Sequence, residues 1–394
     1  MKWTHNQHKK SGSSIQEFHS FSKNELEKPF HFHSSLPEYE ATPLHHLEHL
    51  AKTLGVGTIY VKDESKRFGL NAFKGLGGSY AIASYFARKL ALDLNQTDFQ
   101  ELANQVSSLP RVTFSTVTAG NHGKGVAWAA KIFNQDAKIY MPKGTSASRL
   151  NAIKESGAKS YLSDLNYDDT VSWVARSAAE NNQVLIQDTS WEGYEKIPLY
   201  IMQGYTTIIA EIIEQLQPAS LEHITHIFLQ AGVGSFAAAM AATVHNLTMK
   251  KPPKIVVVEP EKANCFYQSA LHNSGEPQQV HGNLDTMMAG LACGKPNPAA
   301  WSILKSISDY FVSADDTISA KGMQISGNPM GNDARIISGE SGALPLGVLH
   351  DMLRKNKNSL LKSELRLDAL SNILIINTEG DTDPDNYRKI VNEL

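Results

Sequence analysis

The chain has little cysteine, no sustained apolar run and no excess of one charge, and each absence removes a class of function. Among its 394 residues only Cys265 and Cys293 are cysteines, so no disulfide framework carries the fold. A reducing, cytoplasmic setting is expected. With 37 basic and 40 acidic residues the formal charge is −3, without the basic footprint of a nucleic-acid or polyanion binder. The longest apolar-leaning run, Ile227 to Val244, is broken by Gln230, Gly232, Gly234 and Ser235. It reads as strand, loop and helix, and no membrane span is expected. The opening stretch Met1–Ser14 is polar and lacks the apolar centre of a signal peptide. Internal repeats and low-complexity tracts are also absent.

What is present is alternation. The length suggests two domains or three. Residues 1–40 read as a polar arm with little core. A helix is expected from Thr42-Pro43-Leu44, with leucines at 44, 47, 50 and 54. Short β-branched runs then predict strands at Thr58–Lys62, Val112–Thr116, Lys138–Met141, Ser160–Ser163, Val184–Gln187, Ile227–Gln230, Ile255–Val258 and Ile373–Ile376. Between them lie helical patterns such as Asn121–Phe133, Thr145–Ser156 and Pro198–Leu216. This alternation predicts an α/β protein with two doubly wound, three-layer domains and mainly parallel sheets. In such sheets the chemistry sits in loops beyond the carboxyl ends of the strands.

Four loops fit that rule. In Leu70-Asn-Ala-Phe-Lys-Gly-Leu-Gly-Gly78, Lys74 follows Phe73 and is surrounded by glycine. A desolvated lysine can act as an amine nucleophile. Phe73 would give it an apolar wall, and Gly75, Gly77 and Gly78 would leave room for a flat ligand. Thr118-Ala-Gly-Asn-His-Gly123 follows the strand at 112–116, and Asn121 there can equally be a helix cap. Ala231-Gly232-Val233-Gly234-Ser235 precedes a small-residue helix and suits a phosphate. Asn377-Thr378-Glu379-Gly380-Asp381 follows the last strand. At this level a nicotinamide-dependent dehydrogenase using 231–235, or a non-catalytic ligand-binding protein, stays open.

Asn71-Ala-Phe-Lys-Gly, Thr118-Ala-Gly-Asn-His-Gly and the glycine loop together resemble the fold type II pyridoxal-phosphate enzymes, which include threonine dehydratase and the tryptophan synthase β subunit. Longer stretches resemble the diaminopropionate ammonia-lyases: Asp63 to Lys74, Gln187-Asp-Thr-Ser-Trp-Glu-Gly193, Thr286-Met-Met-Ala-Gly-Leu291, Gly339-Glu-Ser-Gly-Ala343 and Thr378-Glu-Gly-Asp-Thr-Asp383. The resemblance implies a lyase of amino-acid catabolism that converts 2,3-diaminopropionate to pyruvate and two ammonia. Lys74 would form the Schiff base with pyridoxal 5′-phosphate, beside Phe73. Residues Ala231, Gly232, Val233, Gly234 and Ser235 would hold its phosphate and Asn121 its phenolic oxygen. Asn377 or Thr378 would face the pyridine nitrogen, and Glu340 would also meet the cofactor. Thr118, Gly120, His122, Thr286 and Met288 would contact the substrate, and Asp188 would hold its β-ammonium. The implied domains are a large cofactor-binding one, 41–80 with 195–394, and a small one, 81–194, with the site at their interface. The assembly implied is a homodimer.

One position departs from that family. Ala119 stands where the resemblance places an aspartate, the residue that would take the Cα proton of the D-isomer. Alanine has no proton to exchange, so activity on the D-isomer should be lost or reduced. Alanine here is the threonine dehydratase pattern, which makes an L-threonine or L-serine dehydratase the alternative. Two further patterns stand outside the motifs. His45, His46 and His49 form a cluster that could meet a metal or simply a solvated helix face, and no metal is expected. Cys265 and Cys293 bracket Thr286–Leu291 and could pair as a regulatory disulfide.

Overall fold

Each expected strand forms with its ends within two residues, because a β-branched run bounded by turn residues carries its own signal. The structure, a computed structural model, describes residues 1–10, 18–118, 120–145, 147–354 and 359–392. It divides into two compact units. One holds Met1–Lys23, Ala41–Ala72 and Ile208–Leu394; the other holds Asn24–Glu40 and Phe73–Thr207. These boundaries differ from the expected 41–80, 81–194 and 195–394. The helix Lys74–Leu90 packs on the helices Asn121–Ile132 and Lys196–Tyr205, and all three stay together in the second unit.

The first unit is built on eleven-strand numbering shared with the second: β1 Lys2–His5, β2 Leu44–His46, β3 Thr58–Asp63, β8 His226–Gln230, β9 Lys254–Pro260, β10 Tyr310–Ala314 and β11 Asn372–Asn377 belong here. They form one seven-stranded sheet in the order β1-β10-β9-β8-β11-β3-β2. The five inner strands are parallel, and β1 and β2 close the two edges antiparallel. β8 and β10 are buried at every residue, as expected of strands covered on both faces. The core runs through Ile59, Val61, Phe228, Val256, Val258, Leu344, Val348, Ile373 and Ile375. In this register Asp63 lies beside Asn377, so the loops after β3, β8 and β11 leave the same edge of three adjacent strands.

The second unit carries β4 Thr113–Val117, β5 Asp136–Met141, β6 Lys159–Leu162 and β7 Val184–Leu185 in an all-parallel sheet ordered β6-β5-β4-β7. Phe32, Phe86, Phe99, Phe114 and Phe133 pack ring to ring in its core.

Three expectations are corrected. Residues 1–40 are not an arm without a core: Lys2–His5 pairs with β10, and the helix Lys23–Ser34 buries Phe32 and His33. His33 bonds Thr207 Oγ1, Ser79 Oγ and the Leu76 carbonyl, fixing that helix within the second unit. Leu44–His46 is a strand and the helix starts only at Glu48, because pairing with β3 outweighs the leucine spacing. His45 and His49 therefore sit on different elements. His45 faces Asp63 and His49 faces Asp333, and no group of metal-ligating side chains occurs among the described residues. Pro198–Leu216 is two helices, Lys196–Tyr205 and Thr207–Gln215.

Candidate active site

In the second unit Lys74 is the first residue of its helix, and its Nζ donates to Asp188 Oδ2 at 2.6 Å. The ammonium also lies 5.5 Å from the centre of the Phe73 ring and 5.9 Å from that of Tyr205. Phe73 and Tyr205 tilt against each other with centroids 4.7 Å apart, so the expected apolar wall has two aromatic members. Tyr205 escaped the sequence reading because it comes from a distant helix and carries no local motif. Gly77 and Gly78 serve packing between helices. A Cβ on Gly77 would run into Tyr205 and Ile201, and one on Gly78 would meet the Gly125 backbone. At these two positions glycine lets helices approach closely.

Asp188 is buried. Burial alone would push its carboxyl up; the Lys74 charge and hydrogen bond, with His122, outweigh this and hold it at about 2. It is therefore an ionised carboxylate shaped around an ammonium group. His122 is also buried, and its Nε2 lies 2.8 Å from the Ile186 carbonyl. That leaves Nδ1, with no hydrogen-bond partner, 3.9 Å from Asp188 Oδ2. Burial lowers the imidazole below its ordinary range, so it is neutral.

Thr118 Oγ1 accepts from the Gly120 N–H at 3.0 Å and shapes the turn into the Asn121–Ile132 helix. Gly120 caps that helix and Asn121 is its first residue, so Asn121 is not the cap. Ala119 lies outside the described residues.

In the first unit the turn Ala231–Ser235 is buried throughout. Gly234 has φ +90°, and a Cβ there would overlap the Phe266 ring. The helix Ser235–Leu247 starts with no side-chain cap, so its dipole end meets the turn through backbone alone. Ser235 Oγ accepts from Asn297 Nδ2 at 2.8 Å. Gln230, which the sequence reading passed over as a strand end, donates Nε2 to Thr378 Oγ1 at 2.9 Å, while its Oε1 is buried without a partner.

The structure separates Asn377 from Thr378. Asn377 donates to Asp63 Oδ1 at 2.8 Å and accepts from Ser338 Oγ at 2.7 Å, so its carboxamide is committed within the unit. Thr378 is buried, and its oxygen accepts from Gln230. Other expected contacts have internal duties. Thr286 Oγ1 donates to Asp316 Oδ1, and Met288 is fully buried in the core. Glu340 accepts from Asn386 Nδ2 at 2.6 Å; burial and the charge of Glu379 push its carboxyl up. Cys265 and Cys293 are both thiols, the state a reducing setting favours over a regulatory disulfide.

Residues 36–375 match the family of pyridoxal-phosphate dependent enzymes. A diaminopropionate ammonia-lyase of Salmonella typhimurium is 49% identical over 363 residues, 91% of this chain and 90% of the relative. The holo diaminopropionate ammonia lyase of Escherichia coli superposes with a TM-score of 0.92 at 42% identity, covering 100% of this chain and 96% of that one. The same Escherichia coli enzyme solved with an aminoacrylate-PLP azomethine reaction intermediate gives 0.90 at 42% identity, covering 100% and 97%.

Proposed function

We propose a function from one premise: this chain belongs to the diaminopropionate ammonia-lyase family of pyridoxal-phosphate-dependent enzymes. It converts 2,3-diaminopropionate to pyruvate and two ammonia by α,β-elimination. The residues present fit the cofactor. The Gly234 turn admits no side chain and presents bare backbone at a helix N-terminus, and Gln230 Oε1 is an orphaned polar atom in the same unit. Lys74 would hold the aldehyde carbon, Asn121 the phenolic oxygen and the 231–235 backbone the phosphate. Thr378, whose oxygen already accepts from Gln230, has its hydroxyl proton to donate to the pyridine nitrogen, and a hydroxyl leaves that nitrogen unprotonated. Bound there, pyridoxal phosphate supplies the electron sink for the Cα–H bond electrons.

The contact between Lys74 Nζ and Asp188 Oδ2 carries the reading. Once the lysine nitrogen is committed to the cofactor, the ionised Asp188 would take the substrate's β-ammonium in its place. An amine leaves only when protonated, and a buried carboxylate keeps it so. Lys74, released when the substrate's amine takes its place on the cofactor, would then remove the Cα proton of the L-isomer. The turn that Thr118 and Gly120 build at a helix N-terminus suits the substrate carboxylate, with His122 behind it. Ala119 carries no basic group, so the D-isomer would turn over poorly. The expected assembly is a homodimer.

Pyruvate release from L- and D-2,3-diaminopropionate and from L-serine, with Ala119→Asp beside the parent, tests this. The parent should use the L-diamino acid, and Ala119→Asp should gain the D-isomer. Preference for L-serine, with no gain in Ala119→Asp, would make the chain a dehydratase instead.

A further inference from the structure

The chain leaves the sheet just before Asp188, and one side chain takes the place of the missing strand. β7 pairs with β4 only at Phe114–Val184 and Ser115–Leu185, and the Ile186 N–H still reaches the Ser115 carbonyl at 2.8 Å. Beyond that point Val117, the last residue of β4, would lack a neighbour on this side. The fully buried carboxamide of Gln187 fills the gap. Its Oε1 accepts from the Val117 N–H and from Thr116 Oγ1, both at 3.0 Å. Its Nε2 donates to the Val117 carbonyl at 3.1 Å and to Tyr167 Oη at 2.8 Å.

The backbone that peels away is met by side chains as well. Tyr194 Oη accepts from the Gln187 N–H at 2.9 Å and donates to the Leu185 carbonyl at 2.8 Å, and His122 Nε2 meets the Ile186 carbonyl. Buried backbone groups left unpaired would each be costly, so this set of bonds is what permits the departure. The residue that follows the departure is Asp188. The residue that follows Val117 is Thr118, which accepts from the Gly120 N–H ahead of the Asn121–Ile132 helix.

We propose that Gln187 is a positioning residue: by standing in for a strand neighbour of Val117 it both turns Asp188 toward Lys74 and anchors the end of β4 that leads into Thr118. It touches neither substrate nor cofactor and acts through these two. The proposal rests on Lys74 and Asp188 being catalytic, and it deepens that reading.

The test is Gln187→Met, which keeps the side chain's length and removes its carboxamide, compared with the parent as holoenzyme. Cofactor content, read by visible absorbance, should be retained. The kcat for elimination should fall roughly a hundred-fold, the scale of a misplaced catalytic group, with KM much less affected. The acid limb of the kcat/KM profile should shift, because Asp188, the carboxylate meant for the substrate's ammonium, no longer holds its place. Tyr194→Phe deletes one hydroxyl of the same framework and should shift the limb in the same direction, which keeps the idea testable if Gln187→Met does not fold. Unchanged kcat per bound cofactor and an unmoved acid limb, with only a lower melting temperature, would show that Gln187 is merely structural. The assay is run on whichever of L-diaminopropionate or L-serine the parent prefers. A preference for serine therefore overturns the substrate reading and leaves this comparison intact.

Discussion

Lys74 Nζ and Asp188 Oδ2 are joined by a 2.6 Å hydrogen bond although the residues stand 114 positions apart in the chain. The carboxylate is ionised, nearly dry and matched to an ammonium group. Asp188→Asn keeps the shape and removes the charge. It should lower pyruvate release by on the order of 10²- to 10⁴-fold, the usual contribution of a positioned acid or base. Bound cofactor, measured by absorbance, should stay near the parent level. A variant with near-parental turnover would remove Asp188 from the chemistry.

His122 is expected to make stability acid-sensitive. Burial is the main reason its imidazole titrates below the ordinary range, and Asp188 only partly opposes this. The unfolded chain therefore binds this proton first as pH falls. Stability is complete above about 6.5, the unperturbed value, and declines as pH drops toward the folded value. His122→Gln, which can still donate to the Ile186 carbonyl, should flatten the decline. Urea midpoints of parent and variant at successive pH values, from neutral to mildly acidic, measure the difference. Parallel curves would mean that other groups set the acid sensitivity.

Gly234 combines φ +90° with a ring against its α-carbon. Gly234→Ala faces both a left-handed backbone and an overlap with Phe266, a strain of roughly 1–3 kcal/mol from the backbone alone. Pyridoxal phosphate affinity, measured by equilibrium dialysis, should fall by at least about ten-fold, the equivalent of 1.4 kcal/mol. Adding Phe266→Ala relieves the overlap and should recover part of the loss. No recovery would assign the whole effect to the backbone.

Arg67 is fully buried and holds two carboxylates: it bonds Glu64 through Nε and Nη2, and Glu211 through Nη1 and Nη2. Lys62 completes the network at 2.6 Å from Glu211 Oε2. Arg67→Met leaves three buried charges with a net negative excess and should cost about 3–5 kcal/mol of stability. Arg67→Lys should rescue little, since an ammonium cannot present the planar fork that meets both acids. Denaturant unfolding of the two variants is the measurement. Full rescue by lysine would show that charge, and not geometry, holds the network.

The sequence by itself determined what is local. β-branched runs between turn residues marked the inner strands, and the Gly232–Gly234 turn marked a strand-to-helix passage, because these signals arise from backbone sterics within a few residues. Lys74 stood out through its immediate neighbours for the same reason, although Gly77 and Gly78 serve helix packing. Only the tertiary structure decided what depends on distant pairing. Leu44–His46 became a strand because β3 offered it hydrogen bonds that its own leucine pattern did not encode. Asn377 and Thr378 are adjacent, yet Asp63 and Ser338 occupy one and Gln230 orients the other. Met288 looked like part of a substrate loop and is core, since burial depends on what folds over a residue. The partner of Lys74 and the carboxamide that steers Asp188 toward it are contacts of the same kind. They come from long-range packing, where loop closure and sheet register, which no short motif records, bring separate segments together.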